Sequence, residues 1–194
     1  MQMRPIDSTK LERIKKETKI LIVEKGYHGA SIAELARRAE VSDGYLYRHY
    51  KNKSELVKDI FESQLKQFHD FILDQLENSK TAKRVVEEII SFLFELSNTE
   101  PYAIQFAHSL VYDFEFEYPQ SRQDAINKIS TLLLKLGKKT GEFAPSIREI
   151  DIQLTVLTIP VKFIEYSNKG YHSHKPDSNN EKYLLVNLCM KALQ

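Results

Sequence analysis

SIAELARRAEVSDGYLYRHYKNK, residues 31–53, has the pattern of two short helices joined by a tight turn. Ser31 can cap the first helix, with Glu34 at the reciprocal position of a capping box, and Ser42 can cap the second. The second helix, expected over 43–50, carries hydroxyls, an arginine and a histidine on its outer side. A helix of this kind fits the major groove of DNA when a small scaffold holds it outward. The stretch therefore predicts a helix-turn-helix and a DNA-binding switch.

The segments on either side extend this scaffold. A first helix is expected over 9–25, with Thr9 as its cap and Gly26 as its stop, since glycine tolerates a left-handed backbone. After the motif, Asn52 can cap a fourth helix, in which apolar residues keep helical spacing to about residue 78. A helix of this extent can connect two domains without a flexible linker.

The rest of the chain has helical apolar spacing without the alternation of strands. A polar loop is expected at 171–180, and Pro160 should bend the helix that contains it, because proline lacks a backbone donor. Further helices are expected over 82–97, 101–115, 119–140, 146–169 and 179–193. The predicted fold is all-α with about nine helices. A three-helix domain at 1–56 is followed by a helical domain at 57–194, and helix 4 (about 53–78) connects them.

Composition narrows the class of protein. The chain has 194 residues, of which 42% are hydrophobic and 28% charged, as expected of an ordinary soluble protein. No apolar run reaches the ~20 residues of a membrane span, so no membrane partner is expected. The N-terminus lacks the pattern of a signal peptide. Cys189 is the single cysteine and has no partner for an internal disulfide, which favours the cytoplasm.

Charge is distributed unevenly around the motif. Residues 1–56 hold 12 Lys and Arg against 8 Asp and Glu, a net of +4, and the remainder holds 16 against 19, a net of −3. The positive charge therefore surrounds the two short helices, where a phosphate backbone would be met.

The motif resembles the N-terminal domain of the tetracycline-repressor (TetR) family of bacterial transcription regulators. The resemblance covers residues from about 10 to 60. Glu40 stands where the family most often has glycine, which bears on the backbone of the turn, and Tyr50 replaces the commoner phenylalanine. The resemblance rests on the cap, the small buried residues, the Val-Ser turn and the core of the second helix, which are Ser31, Ile32, Ala33, Ala36, Ala39, Val41, Ser42, Gly44, Tyr45, Leu46, Tyr47, Arg48, His49, Tyr50, Lys53, Glu55 and Leu56.

Direct reading of bases needs side chains that reach base edges, whereas positioning needs donors to phosphates. Arg48 can bind guanine or a phosphate, and Asp43 can accept from a cytosine amine or stabilise the helix N-terminus. Gly44 allows a close approach of the backbone. The resemblance assigns phosphate contacts to Ser31, Tyr47, His49 and Lys53, although Tyr47 could instead be a core residue. The predicted DNA-binding set is Ser31, Arg37, Ser42, Asp43, Gly44, Tyr45, Tyr47, Arg48, His49 and Lys53.

The resemblance implies a small-molecule effector and a homodimer built by the last two helices, although it does not identify the effector. Aromatic and polar residues of the C-terminal part would line a largely apolar pocket, or would simply form an ordinary helical core. The predicted pocket residues are Phe61, Phe68, Phe92, Gln105, Phe106, His108, Tyr112, Phe163 and Tyr166. The predicted dimer residues are Ile152, Val156, Ile159, Leu184, Leu185 and Leu188.

The predicted function is a ligand-responsive transcriptional regulator that acts as a repressor. It would bind an inverted-repeat operator in double-stranded DNA and leave it when an apolar effector binds; activation is the minority mode in the family. Two alternatives are a helical interaction module that no longer binds DNA and an enzyme. The sequence contains no Gly-rich phosphate loop, HExxH, CxxC or Gly-x-Ser-x-Gly motif, so neither catalysis, a cofactor nor a metal is expected.

Overall fold

A computed structural model describes residues 8–117, 119–170 and 179–194. Within these ranges every regular element is a helix, in agreement with the all-α prediction. The predicted loop at 171–180 lies outside the described residues except for its last two. The α-helices are α1 (Ser8–Gly29), α2 (Ile32–Arg38), α3 (Asp43–Tyr47), α4 (Lys53–Asn78), α5 (Ala82–Thr99), α6 (Ala103–Val111), α7 (Gln120–Thr140), α8 (Glu149–Ile152), α9 (Ile159–Asn168) and α10 (Asn179–Ala192).

The chain divides into two compact units. The first contains residues 8–64 and 105–117, and the second contains 65–104, 119–170 and 179–194. The predicted domain boundary at 56/57 lies inside α4, and α4 supplies residues to both units. Residues 105–117, which the sequence analysis placed in the C-terminal domain, pack with the first unit.

Two backbone positions shape the first unit. Gly26 interrupts α1 with φ 73° and ψ 169°, at the residue where the sequence predicts a stop, and one further helical turn follows it. Glu40, in the turn between α2 and α3, has φ 53° and is the one non-glycine residue with positive φ in the described chain. The family's usual glycine would adopt this conformation without steric cost.

The second unit is built on α5. One side of α5 is buried almost completely, including Val85, Ile89 and Phe94. The Glu142 carboxylate, just after α7, accepts hydrogen bonds from the backbone N–H groups of Ala82 at 2.6 Å and Lys83 at 3.1 Å. The end of α7 is thereby joined to the start of α5.

The predicted helix over 146–169 is not a uniform α-helix. Between α8 and α9 the residues Gln153–Thr158 form a π-helical turn. The Ile159 N–H donates to the carbonyl of Leu154, five residues back, and Pro160 follows immediately. Proline has no N–H and its ring conflicts with the carbonyl four residues earlier. The sequence predicts a bend at this point, whereas the structure has a wider helical turn there.

Candidate nucleic-acid interface

Both predicted caps of the helix-turn-helix are confirmed. The Ser31 hydroxyl accepts a hydrogen bond from the Glu34 N–H at 3.2 Å, and the Ser42 hydroxyl accepts one from the Tyr45 N–H at 3.2 Å. Leu46 is 1% exposed and anchors α3 in the core of the first unit. Leu46 is the one buried residue of α3, and the other four are partly or fully exposed.

The outer side of α3 is fully solvated. A Cβ built on Gly44 would meet no atom within 4 Å, so the first turn of α3 presents bare backbone. Tyr47 is 57% exposed, although it has a large ring that a core would accept, and the alternative of core packing is therefore wrong for this residue. The exposed residues of α3 and its two ends, called here the α3 face, are Ser42, Asp43, Gly44, Tyr47, Arg48 and His49.

Tyr45 has a different environment from its neighbours on α3. Its hydroxyl is buried and has no hydrogen-bond partner among the residues that the structure describes. The Arg48 guanidinium lies 5.4 Å from the centre of the Tyr45 ring, and the His49 ring lies 4.9 Å from it in an edge-on arrangement. Tyr45 therefore supports the two basic side chains through its ring, and its hydroxyl does not reach solvent.

The two arginines of α2 differ in their surroundings. Arg38 forms ion pairs with Glu24 at 2.7 Å and Glu34 at 3.4 Å, and Lys25 also binds Glu34. Arg37 is exposed and forms no ion pair within the described residues. The exposed Arg37 side chain is therefore open to a partner such as a phosphate, and its place in the predicted DNA-binding set stays a prediction.

Lys53 also has a structural role. Its ammonium donates to the backbone carbonyls of Tyr27 at 2.6 Å and Ala30 at 3.1 Å, and lies 4.4 Å from the centre of the Tyr27 ring. Burial lowers the pKa of Lys53, although the nearby Asp113 acts in the opposite direction. An ammonium has three donors, so one remains for the predicted phosphate contact.

Tyr50 helps to hold the helix-turn-helix in place. Its hydroxyl donates to the Asp59 carboxylate at 2.9 Å. Burial, followed by this hydrogen bond to a carboxylate, raises the pKa of Tyr50 above its usual value. The hydroxyl that distinguishes Tyr50 from phenylalanine therefore ties the end of the motif to α4.

Lys51 was not predicted as part of the interface. It is exposed, follows the α3 face directly, and its side chain forms no ion pair within the described chain. Its backbone N–H donates to Glu55 at 2.5 Å. The sequence alone could have indicated Lys51 as a phosphate contact, because a lysine next to a recognition helix is well placed to bind a phosphate.

The predicted pocket residues fall in both units. In the first unit the Phe61 and Phe106 rings are buried 6.5 Å apart, and the His108 and Tyr112 rings lie 4.5 Å apart. Tyr112 itself is 61% exposed, and Gln105 belongs to the same unit.

In the second unit the rings of Phe68 and Phe92 lie 5.4 Å apart. Phe163 stacks on Phe94 at 6.0 Å, and Tyr166 is exposed. The assignment of these aromatic residues to an effector pocket stays a prediction.

The predicted dimer residues differ in exposure. Leu184 and Leu188 are half exposed on one side of α10. Ile159 is partly buried, and the other three, Ile152, Val156 and Leu185, lie in the core of the second unit.

No helix of the described chain is long and apolar enough to cross a bilayer.

Comparison with known proteins gives concordant results. Residues 14–60 match the family model described as bacterial regulatory proteins, tetR family. The fatty acid metabolism regulator protein of Bacillus subtilis is 28% identical over 113 residues, which are 58% of this chain and 55% of that protein. The chain thus spans about half the length of this relative.

Solved structures share the fold over nearly the whole chain. A TetR family transcription regulator from Marinobacter aquaeolei has a TM-score of 0.81 at 18% identity, with 98% of each chain covered. The regulator FadR from Bacillus subtilis, solved in complex with stearoyl-CoA, has a TM-score of 0.66 at 18% identity, covering 94% of this chain and 99% of that one. Residues 14–60, with their helix-turn-helix sequence and their capped and exposed α3, therefore form a DNA-binding domain of the tetR family of bacterial regulatory proteins, and the chain has the fold of solved TetR-family regulators.

Proposed function

We propose that this chain is a ligand-responsive transcriptional repressor that binds an inverted-repeat DNA operator as a homodimer. The observation that carries the proposal is the α3 face, which is solvated, capped by Ser42 and flanked by exposed basic side chains. A partner that recognises such a face is the major groove of duplex DNA. In this proposal residues 1–56 bind the operator, and residues 57–194 bind the effector and form the dimer.

Within residues 1–56 the proposed role of each side chain follows from its environment. Arg37, Tyr47 and His49 are exposed donors and are assigned to phosphates, together with the caps Ser31 and Ser42. Arg48 is assigned to base reading, because its guanidinium can form two hydrogen bonds with guanine.

Binding of the labelled duplex upstream of the gene, measured by fluorescence anisotropy across a salt series, tests this assignment. Arg37→Gln should weaken binding to every sequence and reduce the slope of log affinity against log salt by roughly 0.9, because one phosphate contact is lost. Arg48→Ala should reduce the preference for the operator over a scrambled duplex, by ~1–3 kcal/mol if it reads a guanine.

Arg84→Gln is a matched control, since this arginine is exposed in the second unit and pairs with Glu87 and Glu88 on its own helix. It should leave DNA binding unchanged. The base-reading role would be contradicted if Arg48→Ala kept the wild-type preference for the operator over the scrambled duplex. The proposed function would be contradicted if the wild type bound neither duplex.

The effector is proposed to be a small, largely apolar molecule. The Bacillus subtilis relative is named as a regulator of fatty acid metabolism, and the FadR structure holds stearoyl-CoA. Stearoyl-CoA is therefore the first probe for this chain. It should release the labelled operator, whereas free coenzyme A should not, because DNA and effector oppose each other through one coupling free energy.

A homodimer completes the proposed operator complex. Two-fold symmetry would present two α3 faces about one DNA turn apart, ~34–36 Å, or somewhat more. The exposed leucines Leu184 and Leu188 of α10 are the proposed contacts, and the buried Ile152, Val156 and Leu185 support them from beneath. A regulator that acts on an operator works in the cytoplasm beside the bacterial chromosome, by binding and not by catalysis.

A further inference from the structure

The Tyr45 ring lies next to basic side chains from two helices. The Arg48 guanidinium is 5.4 Å from the centre of this ring, and the His49 ring is 4.9 Å from it. The Lys10 ammonium, from the first turn of α1, lies 5.6 Å from the same centre. Because cation–π attraction acts within about 6 Å of a ring centre, the ring attracts a cation from α1 and another from the end of α3.

The contact between Tyr45 and Arg48 follows from helical spacing. Residues three positions apart lie on the same side of a helix, and the backbone of Arg48 is still helical, with φ −73° and ψ −23°. Leu46, the next residue after Tyr45, is directed into the core of the first unit. Tyr45 itself is partly buried, so its ring lies at the border between this core and the α3 face.

The hydroxyl of Tyr45 is not placed for a contact with DNA. It is buried, and it has no hydrogen-bond partner among the residues that the structure describes. A buried hydroxyl without a partner costs free energy, which a phenylalanine would avoid while keeping the ring. The ring, and not the hydroxyl, is therefore the part of Tyr45 that contributes to the α3 face.

Arg48 keeps its capacity to form hydrogen bonds while it contacts the ring. The ring attracts the charge of the guanidinium, whereas base recognition uses the N–H donors in the guanidinium plane. Arg48 is exposed, so these donors can reach a base edge. An arginine whose rotamers are already restricted by a ring loses less conformational entropy when it binds a partner.

We propose that Tyr45 is a positioning residue, which strengthens the preference for the operator by holding Arg48 towards the base edges and does not itself contact DNA. This inference rests on the proposed function, in which Arg48 reads a guanine. It moves Tyr45 from the predicted DNA contacts to the side chains that support them.

Two substitutions separate the ring of Tyr45 from its hydroxyl. Fluorescence anisotropy measures binding of the full-length chain to the labelled duplex upstream of the gene and to a scrambled duplex. Tyr45→Leu should reduce the preference for the upstream duplex by about 2- to 10-fold, because Arg48 must then be ordered on binding. Tyr45→Phe should keep the wild-type preference and raise the Tm, since it removes only a buried hydroxyl without a partner in the described chain.

A double-mutant cycle separates positioning from a structural role. In an Arg48→Ala background, Tyr45→Leu should cause little further loss of preference, because the arginine that the ring holds is gone. A purely structural role would instead weaken binding to both duplexes alike, and to the same extent in both backgrounds. Tyr102→Leu is the matched control, since Tyr102 is 39% exposed in the second unit, and it should leave the preference unchanged.

A measurement on the free protein tests the contact without DNA. The ring current of Tyr45 should shift the NMR signals of the Arg48 side chain in the wild type and in Tyr45→Phe, and the shift should disappear in Tyr45→Leu. The inference would be overturned by the absence of this shift, by a preference that survives in Tyr45→Leu, or by one that is lost in Tyr45→Phe. Failure of the wild type to bind either duplex would contradict the proposed function and, with it, this inference.

Discussion

At the scale of single residues, the first unit contains one local conflict between conformation and side chain. Glu40 adopts φ 53° and forms an ion pair with Arg13 at 2.6 Å. Left-handed backbone costs a non-glycine residue roughly 1–2 kcal/mol, whereas an exposed ion pair contributes about 0–1 kcal/mol. The backbone cost therefore outweighs the ion pair.

Glu40→Gly should accordingly be more stable than Glu40→Ala by about 1–2 kcal/mol, because both variants lose the ion pair and only glycine relieves the backbone. The free energy of unfolding in urea measures the difference. An alanine variant as stable as the glycine variant would show that the turn relaxes away from positive φ.

His69 gives the second unit a pH dependence. Its pKa is lowered to about 4 by burial and by Arg122, against about 6.5 in an unfolded chain. The unfolded chain thus binds the proton more readily, so the stability that depends on neutral His69 is present above pH 6.5 and is lost as the pH falls towards 4.

Unfolding in urea at pH 7 and pH 5 should therefore give a smaller free energy at the lower pH, with His69 contributing up to about 2 kcal/mol of the decrease. His69→Gln should show a correspondingly smaller decrease between these two values. The same pH dependence in both proteins would mean that other groups cause it.

At the scale of elements, two helical glycines have opposite surroundings. A Cβ on Gly137 of α7 would lie 2.1–2.4 Å from atoms of the Phe143 ring, whereas a Cβ on Gly44 of α3 would meet nothing within 4 Å. The first glycine permits close packing within the second unit, and the second leaves the start of α3 bare.

The same substitution should therefore act in opposite directions. Gly137→Ala should lower the free energy of unfolding by about 1–3 kcal/mol through overpacking, and Gly44→Ala should raise it by up to about 0.5–1 kcal/mol. If Gly44 permits close approach to DNA, Gly44→Ala should also weaken operator binding, although it is the more stable protein. Urea unfolding and anisotropy provide the two measurements.

The sequence predicts those elements whose signals are local. Ser31 and Ser42 cap α2 and α3 as expected, because a cap bonds to a backbone group only three residues away. The environment of Lys53 depends on carbonyls more than twenty residues away. The difference between Arg37 and Arg38 depends on Glu24 of α1. Neither of these two features can be predicted from a local pattern in the sequence.

At the scale of the whole molecule, the single chain leaves apolar side chains exposed on one side of α10. Leu184 is 51% exposed and Leu188 is 52% exposed, one helical turn apart. Leu154, in the π-helical turn, is 54% exposed. Hydrophobic side chains exposed in this arrangement are typical of an interface between subunits.

The double substitution Leu184→Asp and Leu188→Asp should convert the proposed dimer into a monomer, because it would bury charges in an apolar contact. Sedimentation velocity gives the mass, and anisotropy should show weaker binding to a full operator. Leu132→Asp, at an exposed leucine of α7, is the control and should remain dimeric. Sedimentation of the double variant as a dimer would place the interface elsewhere.

The sequence predicts the all-α fold and the α3 face more fully than it predicts the surfaces proposed for effector binding and dimerisation. The helix-turn-helix is specified by local caps, turns and one buried face, of which Leu46 is typical. Burial of Ile152 and Val156 in the second unit depends on which side of their helix meets α5 and α10. Apolar spacing alone does not distinguish a side that meets the core from one that meets a second subunit.

The π-helical turn at Gln153–Thr158 constrains the evolution of this region. Such a turn accommodates one residue more than a plain α-helix, and each residue of an α-helix advances the chain by ~100°. A one-residue deletion within this turn would restore a regular α-helix and keep Ile164 in the core, whereas the same deletion within α9 would rotate everything after it by that angle. A one-residue gap in related sequences is therefore expected within this turn, and a gap within α9 is expected only with compensating changes along that helix.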